Sequence, residues 1–182
     1  VTIDDILRFW LDEAGPARWF VKDPAFDALC RQRLGAAHAR AAAGGLAHWR
    51  DTAPGCVALC ILLDQVPRNI HRGHAAAFAT DAMALAVARH AVAAGLDLDP
   101  VMTDAHRLFL YLPFEHSETP ADQDRAVALF RERTAVPEWA EYAERHRAVI
   151  ARFGRFPHRN AALGRTSSAD ELAFLAEPGS GF

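Results

Sequence analysis

Lysine is almost absent: Lys22 stands alone, and every other basic residue is arginine. With a formal net charge of -3 and a pI near 6.3, the chain lacks the basic excess that binding to nucleic acid or to an anionic membrane requires. The arginine bias supplies planar, bidentate donors wherever basic residues cluster, although genomic base composition produces the same bias. Cysteine is scarce too. Cys30, Cys56 and Cys60 contain no C-x-x-C pair, so metal or dithiol redox work is not expected, and an odd number in apolar context predicts reduced core thiols in a cytoplasmic protein. No apolar stretch reaches the roughly 18 residues of a membrane span, and no charged n-region precedes a long apolar h-region. The expectation is an intracellular protein without a membrane partner. Also missing is any alternating pattern long enough to build a sheet.

What is present is hydrophobicity, 51% over 182 residues, enough for one well-buried domain and short for two. Helix punctuation recurs along it. Thr2 with Asp5 forms a capping box ahead of Ile3, Ile6, Leu7, Trp10 and Leu11, which share one stripe. Gly15-Pro16 ends that helix, and Trp19 and Phe20 are expected to seal the domain edge. Asp23-Pro24 opens a second helix that stops at Gly44-Gly45. Thr52 and Pro54 open a third, and its segment Cys56–Leu63 is apolar all round, as in a helix at the centre of a bundle. Its eight residues also suit a buried strand, but helical patterns flank it and no second strand exists to pair with it. Pro67 ends this run. Thr80-Asp81 caps an alanine-rich helix to Gly95, Asp99-Pro100 starts one ending at Pro113, Thr119-Pro120 the next, and Pro137 one closed by Gly154. Ser168 and Glu171 form a second capping box for a short last helix. The reading is all-α: a single domain, residues 1–176, of seven or eight antiparallel helices stacked as hairpins, with 177–182 a frayed tail. No 34-residue self-similarity is visible.

Three polar clusters interrupt the apolar pattern. They are Asp64, Gln65, Arg68, Asn69 and Arg72; then Glu115, His116, Ser117, Glu118, Asp122 and Gln123; then His146, Arg152, Arg155, His158, Arg159 and Asn160. Each sits at a helix end, so a helical stack can bring them to one rim. Arginines there would hold a carboxylate or phosphate, and a histidine would transfer a proton. The competing reading makes them structural bolts, since such residues in tight loops also bind neighbouring carbonyls and amides. His116, Glu118, His146 and His158 follow no recognised metal-ligand spacing. His116-x-Glu118 matches half of the zinc deaminase signature without the Pro-Cys-x-x-Cys half, and H-E-x-x-H is absent. Ser117 lacks a G-x-S-x-G elbow. No metal and no cofactor are expected.

These residues carry a family resemblance. Ile6-Leu7-Arg8-Phe9-Trp10, Trp19-Phe20, Leu62-Leu63-Asp64-Gln65-Val66-Pro67-Arg68-Asn69, Phe78-Ala79-Thr80-Asp81, Tyr111-Leu112-Pro113-Phe114-Glu115-His116-Ser117-Glu118, Asp122-Gln123 and Arg152-Phe153-Gly154-Arg155-Phe156-Pro157-His158-Arg159-Asn160 resemble, in this order, a bacterial family known as domain of unknown function 924. The likeness runs from about Ile6 to Leu175, and Val66 departs from a position that is more often aromatic there. It implies an all-helical fold similar to tetratricopeptide-like superhelices and assigns no activity to any residue.

The functional expectation is therefore a binding protein or enzyme for a small anionic metabolite. Asp64, Gln65, Arg68, Asn69, Arg152, Arg155, Arg159 and Asn160 would bind the ligand, with Glu115, His116, Glu118 or His158 as the acid–base group. All three clusters would meet around one cavity, with His116 and His158 on the same side. The alternative is a helical-repeat module that binds a protein or peptide along a groove without catalysis.

Overall fold

The Thr2 hydroxyl accepts the Asp5 N–H while the Asp5 carboxylate accepts the Thr2 N–H, and this reciprocal cap opens α1, residues 3–14, whose second half, Arg8–Ala14, is in π register. The computed structural model describes residues 1–181. After α1 come α2 (Pro24–Ala42), α3 (residues 53–70), α4 (Asp81–Ala93), α5 (Asp104–Glu115), α6 (Pro120–Arg133), α7 (Pro137–Phe153) and α8 (Ala169–Leu175). Among the described residues there is no strand, and short 3-10 turns make several of the connections. The fold is all-α, as the helix punctuation predicts.

α3 is the centre. Its residues 56–63 are no more than 3% exposed, and it touches α1, α2, α4 and α5, which explains why this stretch has no polar face. Cys56 and Cys60 belong to that core. Burial pushes the Cys56 thiol up to about 11 and the Cys60 thiol well above its ordinary value, so both are inert packing groups. A smaller apolar group of Val149, Ile150 and Phe156, backed by Phe153 and Phe174, docks the C-terminal segment and α8 onto α7. Trp19 seals an edge as expected: its indole N–H donates to the Trp10 carbonyl at 2.8 Å, and its ring meets Phe109 edge-on at 4.8 Å. Phe20 instead stays exposed. Ser180 is buried and donates to the Leu175 carbonyl, while Phe182, the end of the expected tail, lies outside the described residues.

Two prolines expected to end helices do not. α3 continues through Pro67 because its chain there is wound in π register, residues Ile61–Gln65, with the Val66 N–H reaching back five residues to the Ile61 carbonyl. Pro67 has no N–H to offer, so the carbonyls of Leu62 and Leu63 are left without helical partners. Side chains from elsewhere cap both. His38 Nδ1–H donates to the Leu62 carbonyl at 2.8 Å, and the Thr80 hydroxyl donates to the Leu63 carbonyl. Thr80 consequently gives α4 no side-chain cap. α5 likewise runs past Pro113 to Glu115, and it starts behind the Thr103 cap, not at Asp99-Pro100. The Asp99 carboxylate serves a local turn, accepting the Val101 N–H at 3.0 Å.

Gly55 fixes how α3 begins. A Cβ there would lie 2.0 Å from the Trp49 carbonyl oxygen and 2.8 Å from Thr52 Oγ1, the very atom that caps the Gly55 N–H. Gly55→Ala gains up to about 1 kcal/mol of helix preference, but the backbone clash dominates and a net loss of about 1–3 kcal/mol is expected in urea unfolding. An unchanged midpoint would contradict this packing.

Candidate functional site

Three helix ends and one turn converge. α3 delivers Asp64 and Arg68 from the π-wound stretch and the turn after it; the end of α5 delivers Glu115 and His116; the first residue of α4 is Asp81; and the 3-10 turn Pro157–Arg159 brings His158 and Arg159, with His146 entering from α7. Asp64, 1% exposed, is the hub. Both its carboxylate oxygens lie 2.9 Å from His116 Nδ1, Gln65 Nε2 donates to it at 2.7 Å, and Arg68 stands 3.2 Å away. Arg68 also forks onto Asp81 at 2.9 and 3.0 Å, and Arg159 touches the same carboxylate at 3.3 Å. The Arg159 guanidinium lies close to two phenyl rings, 4.8 Å from the Phe78 centroid and 4.6 Å from that of Phe156, and Phe78 also faces Arg68 at 5.6 Å. His158 packs 5.6 Å from Phe156, and Phe156 lies 5.6 Å from His146. A chain of ring contacts thus links His158 through Phe156 to His146 and, at 6.1 Å, to His116.

Burial sets the protonation states. It works to raise the pKa of Asp64, but Arg68 and His116 outweigh it and hold the carboxyl well below the ordinary range. His116 is pushed down by burial against the pull of Asp64, so the ring is neutral at pH 7, with Nδ1–H donating to the carboxylate. Its Nε2 carries no hydrogen bond among the described residues. Glu115 next door behaves in the opposite sense to Asp64. Burial, then the Asp64 charge, push it up to about 8, while burial, then His116, push His146 down to about 3. Their contact, Glu115 Oε1 to His146 Nδ1 at 3.0 Å, therefore joins two neutral groups near pH 7, with Nδ1–H also donating to the Tyr142 carbonyl at 2.9 Å. Burial, then Arg68, lower Arg159 to about 10, so it remains a cation.

Several expected site residues are bolts. Glu118 takes a fork from Arg165 at 2.8 and 3.0 Å and the Phe156 N–H at 2.8 Å. Burial opposes its ionisation, but those donors hold its pKa below the usual value, which suits an anchor and not a proton donor. Arg155 grips Glu171 at 2.6 and 2.8 Å and ties α8 down. Asn160 orders the following loop through Ser167 and Arg165. Gln123 donates to the carbonyls of Glu115 and Ser117, bracing the end of α5, and Ser117 donates to Asp122. Asn69 returns to the Gln65 carbonyl, and Arg72 pairs with Asp27 near the surface. Arg152 is exposed, with its guanidinium over the neighbouring Phe153. Sequence reasoning missed Asp81, Phe78 and Arg165. An aspartate in the first turn of a helix carries no mark that distinguishes a charge partner from a dipole cap.

The clusters meet, and two surface clefts lie elsewhere. One, about 820 Å³, runs along Thr2, Arg40, His48, Trp49 and Val101; another, about 270 Å³, lies between α6 and α7 at Asp124 and Arg147. At the junction itself the side chains contact one another directly. Among the described residues no three His, Cys, Asp or Glu side chains are grouped to hold a metal ion, and no helix is long and apolar enough to cross a membrane.

No curated protein matches the chain. The solved structure of a protein of unknown function from Agrobacterium tumefaciens is similar at a TM-score of 0.89 and 41% identity, over 96% of this chain and 96% of that one. The sequence profile described as "Bacterial protein of unknown function (DUF924)" matches residues 6–179. Spanning nearly the whole chain, that match shows that the protein belongs to the DUF924 family.

Proposed function

We propose that the chain binds a small anionic metabolite at the Arg68–Arg159 pair and that the Asp64–His116 dyad handles a proton there. The observation that carries this reading is the dyad itself: a buried carboxylate bonded to Nδ1 of a neutral imidazole whose Nε2 is left as a proton acceptor. Asp64 orients the ring and stabilises the imidazolium that proton uptake would form. Two arginines within reach of one another, sharing Asp81, supply guanidinium donors for an anion. Buried, free cysteines fit a reducing, cytoplasmic setting.

Arg159→Ala is the test. The variant should remain folded and lose the thermal stabilisation that carboxylated or phosphorylated metabolites give the wild type. If the junction is only structural, the same change lowers stability by about 1–3 kcal/mol and no metabolite stabilises either protein. The second reading, a tetratricopeptide-like module for a protein or peptide, draws on the open 820 Å³ cleft, whose lining includes exposed Val1 and Val101. Recovery of a stoichiometric partner whose binding is lost on altering that cleft, and not on altering Arg159, would favour it.

A further inference from the structure

Arg68 and Arg165 fork onto carboxylates end-on, through Nη1 and Nη2, but two other arginines grip theirs side-on, through Nε and Nη2 together. Arg72 does so with Asp27 at 2.7 and 2.7 Å, and Arg155 with Glu171 at 2.6 and 2.8 Å. Arg159 is more deeply buried than either, at 6% exposure, yet among the described residues its hydrogen bonding is limited to the 3.3 Å contact from Nη1 to Asp81. Its Nε is fully buried and has no acceptor among them, so the edge that Arg72 and Arg155 use meets no carboxylate here. A buried cationic donor left unmet is costly. The Phe78 and Phe156 rings lie close against the same guanidinium, with centroids 4.8 and 4.6 Å from its carbon.

We infer that the small anion is a carboxylate, held coplanar with Arg159 by its Nε and Nη2 donors, with His116 at the same junction. This rests on the small-anion reading above and narrows it. The same Nε–Nη2 edge takes a carboxylate at both Arg72 and Arg155, two donors to two coplanar oxygens. Charge points the same way. Asp64 and Asp81 already balance Arg68 and Arg159, so a monoanion is tolerated where a dianion would leave a larger buried excess. Access comes from the side of Phe78. It is half-exposed on the turn Ala75–Phe78, with exposed residues on either side of Ala77 and Phe78, so its ring can swing where Phe156, fully buried, cannot.

The Nε–Hε resonance of Arg159 reports directly on this edge. In 15N-labelled wild-type protein, titration with sodium acetate or sodium benzoate should move it downfield and protect it from exchange, and inorganic phosphate should do neither. By calorimetry, Arg159→Lys, which keeps the charge and loses the fork, should weaken carboxylate binding about ten-fold or more. Should that variant fail to fold, the wild-type titration decides alone. A carboxylate that binds without moving the Arg159 resonance overturns the inference. Phosphate moving it while carboxylates do not also overturns the inference but leaves the small-anion site standing. No binding by any of these anions, with no thermal stabilisation, removes both.

Discussion

Replacing Asp64 by alanine is expected to cost about 3–5 kcal/mol of stability, the largest single loss in this junction. The carboxylate is buried and serves three donors at once: His116 Nδ1–H, Gln65 Nε2–H and Arg68. Deleting it strands the two neutral donors in a dry environment and leaves Arg68 with the backbone carbonyl of residue 64 and with Asp81, which Arg159 also shares. A control fixes the scale. Asp124→Ala breaks an ion pair with Arg147 whose side chains are 67% and 44% exposed, and should change stability by less than about 1 kcal/mol. Urea unfolding of both variants checks the contrast. Equal losses at the two sites would mean that Asp64 is not the hub its contacts describe.

The second large effect is in the pH dependence. Glu115 titrates near 4.5 when unfolded and at about 8 when folded, so between those values the native state holds one proton more than the unfolded chain. Stability must then fall as pH rises through that window, by up to roughly 1.4 kcal/mol per unit. His146 acts in the opposite direction at lower pH. Its folded pKa of about 3 lies below the ordinary 6.5, so the unfolded chain binds the extra proton and stability falls as pH drops from 6.5 towards 3. The two slopes oppose each other below pH 6.5, Glu115 sets the slope from there to about 8, and towards pH 9 the raised thiols of Cys30, Cys56 and Cys60 add to the decline. Glu115→Gln keeps a neutral planar group in the same place and should remove the alkaline decline between pH 6.5 and 8, while the acid limb persists. Unfolding free energies measured from pH 5 to 9 provide the comparison. An alkaline slope as steep in Glu115→Gln as in the wild type would refute the assignment.

What could be read from the sequence was local. The caps at Thr2 and Ser168, the start at Asp23-Pro24 and the left-handed Gly154 after α7 depend on residues a few positions apart, and each is present. Pro67 and Pro113 were misread because a proline is judged by what its own helix loses. The carbonyls freed at Leu62 and Leu63 are satisfied by His38 and Thr80, 24 and 17 residues away in sequence. The same division runs through the junction. Polar residues packed beside buried segments need partners, and that reasoning correctly brought Asp64, Arg68, His116 and Arg159 together. It could not separate them from Glu118 and Arg155, whose partners Arg165 and Glu171 lie outside every polar cluster. Asp81 was hidden for the opposite reason: alone among apolar residues, it looked like an ordinary first-turn acid.

The π-wound stretch in α3 has a consequence for how this helix can vary in length. A wide turn accommodates one residue more than an α-helical turn between the same two ends. The turns on either side, Cys56–Cys60 and Val66–Ile70, therefore keep the phase that a regular helix one residue shorter would give them, and a residue taken out of 61–65 closes the wide turn without rotating Arg68 and Asn69 about the axis. A residue lost from a regular α-helical turn has no such slack and swings everything beyond it by about 100°. The wide turn is thus where this buried helix can change length while its two halves stay in register.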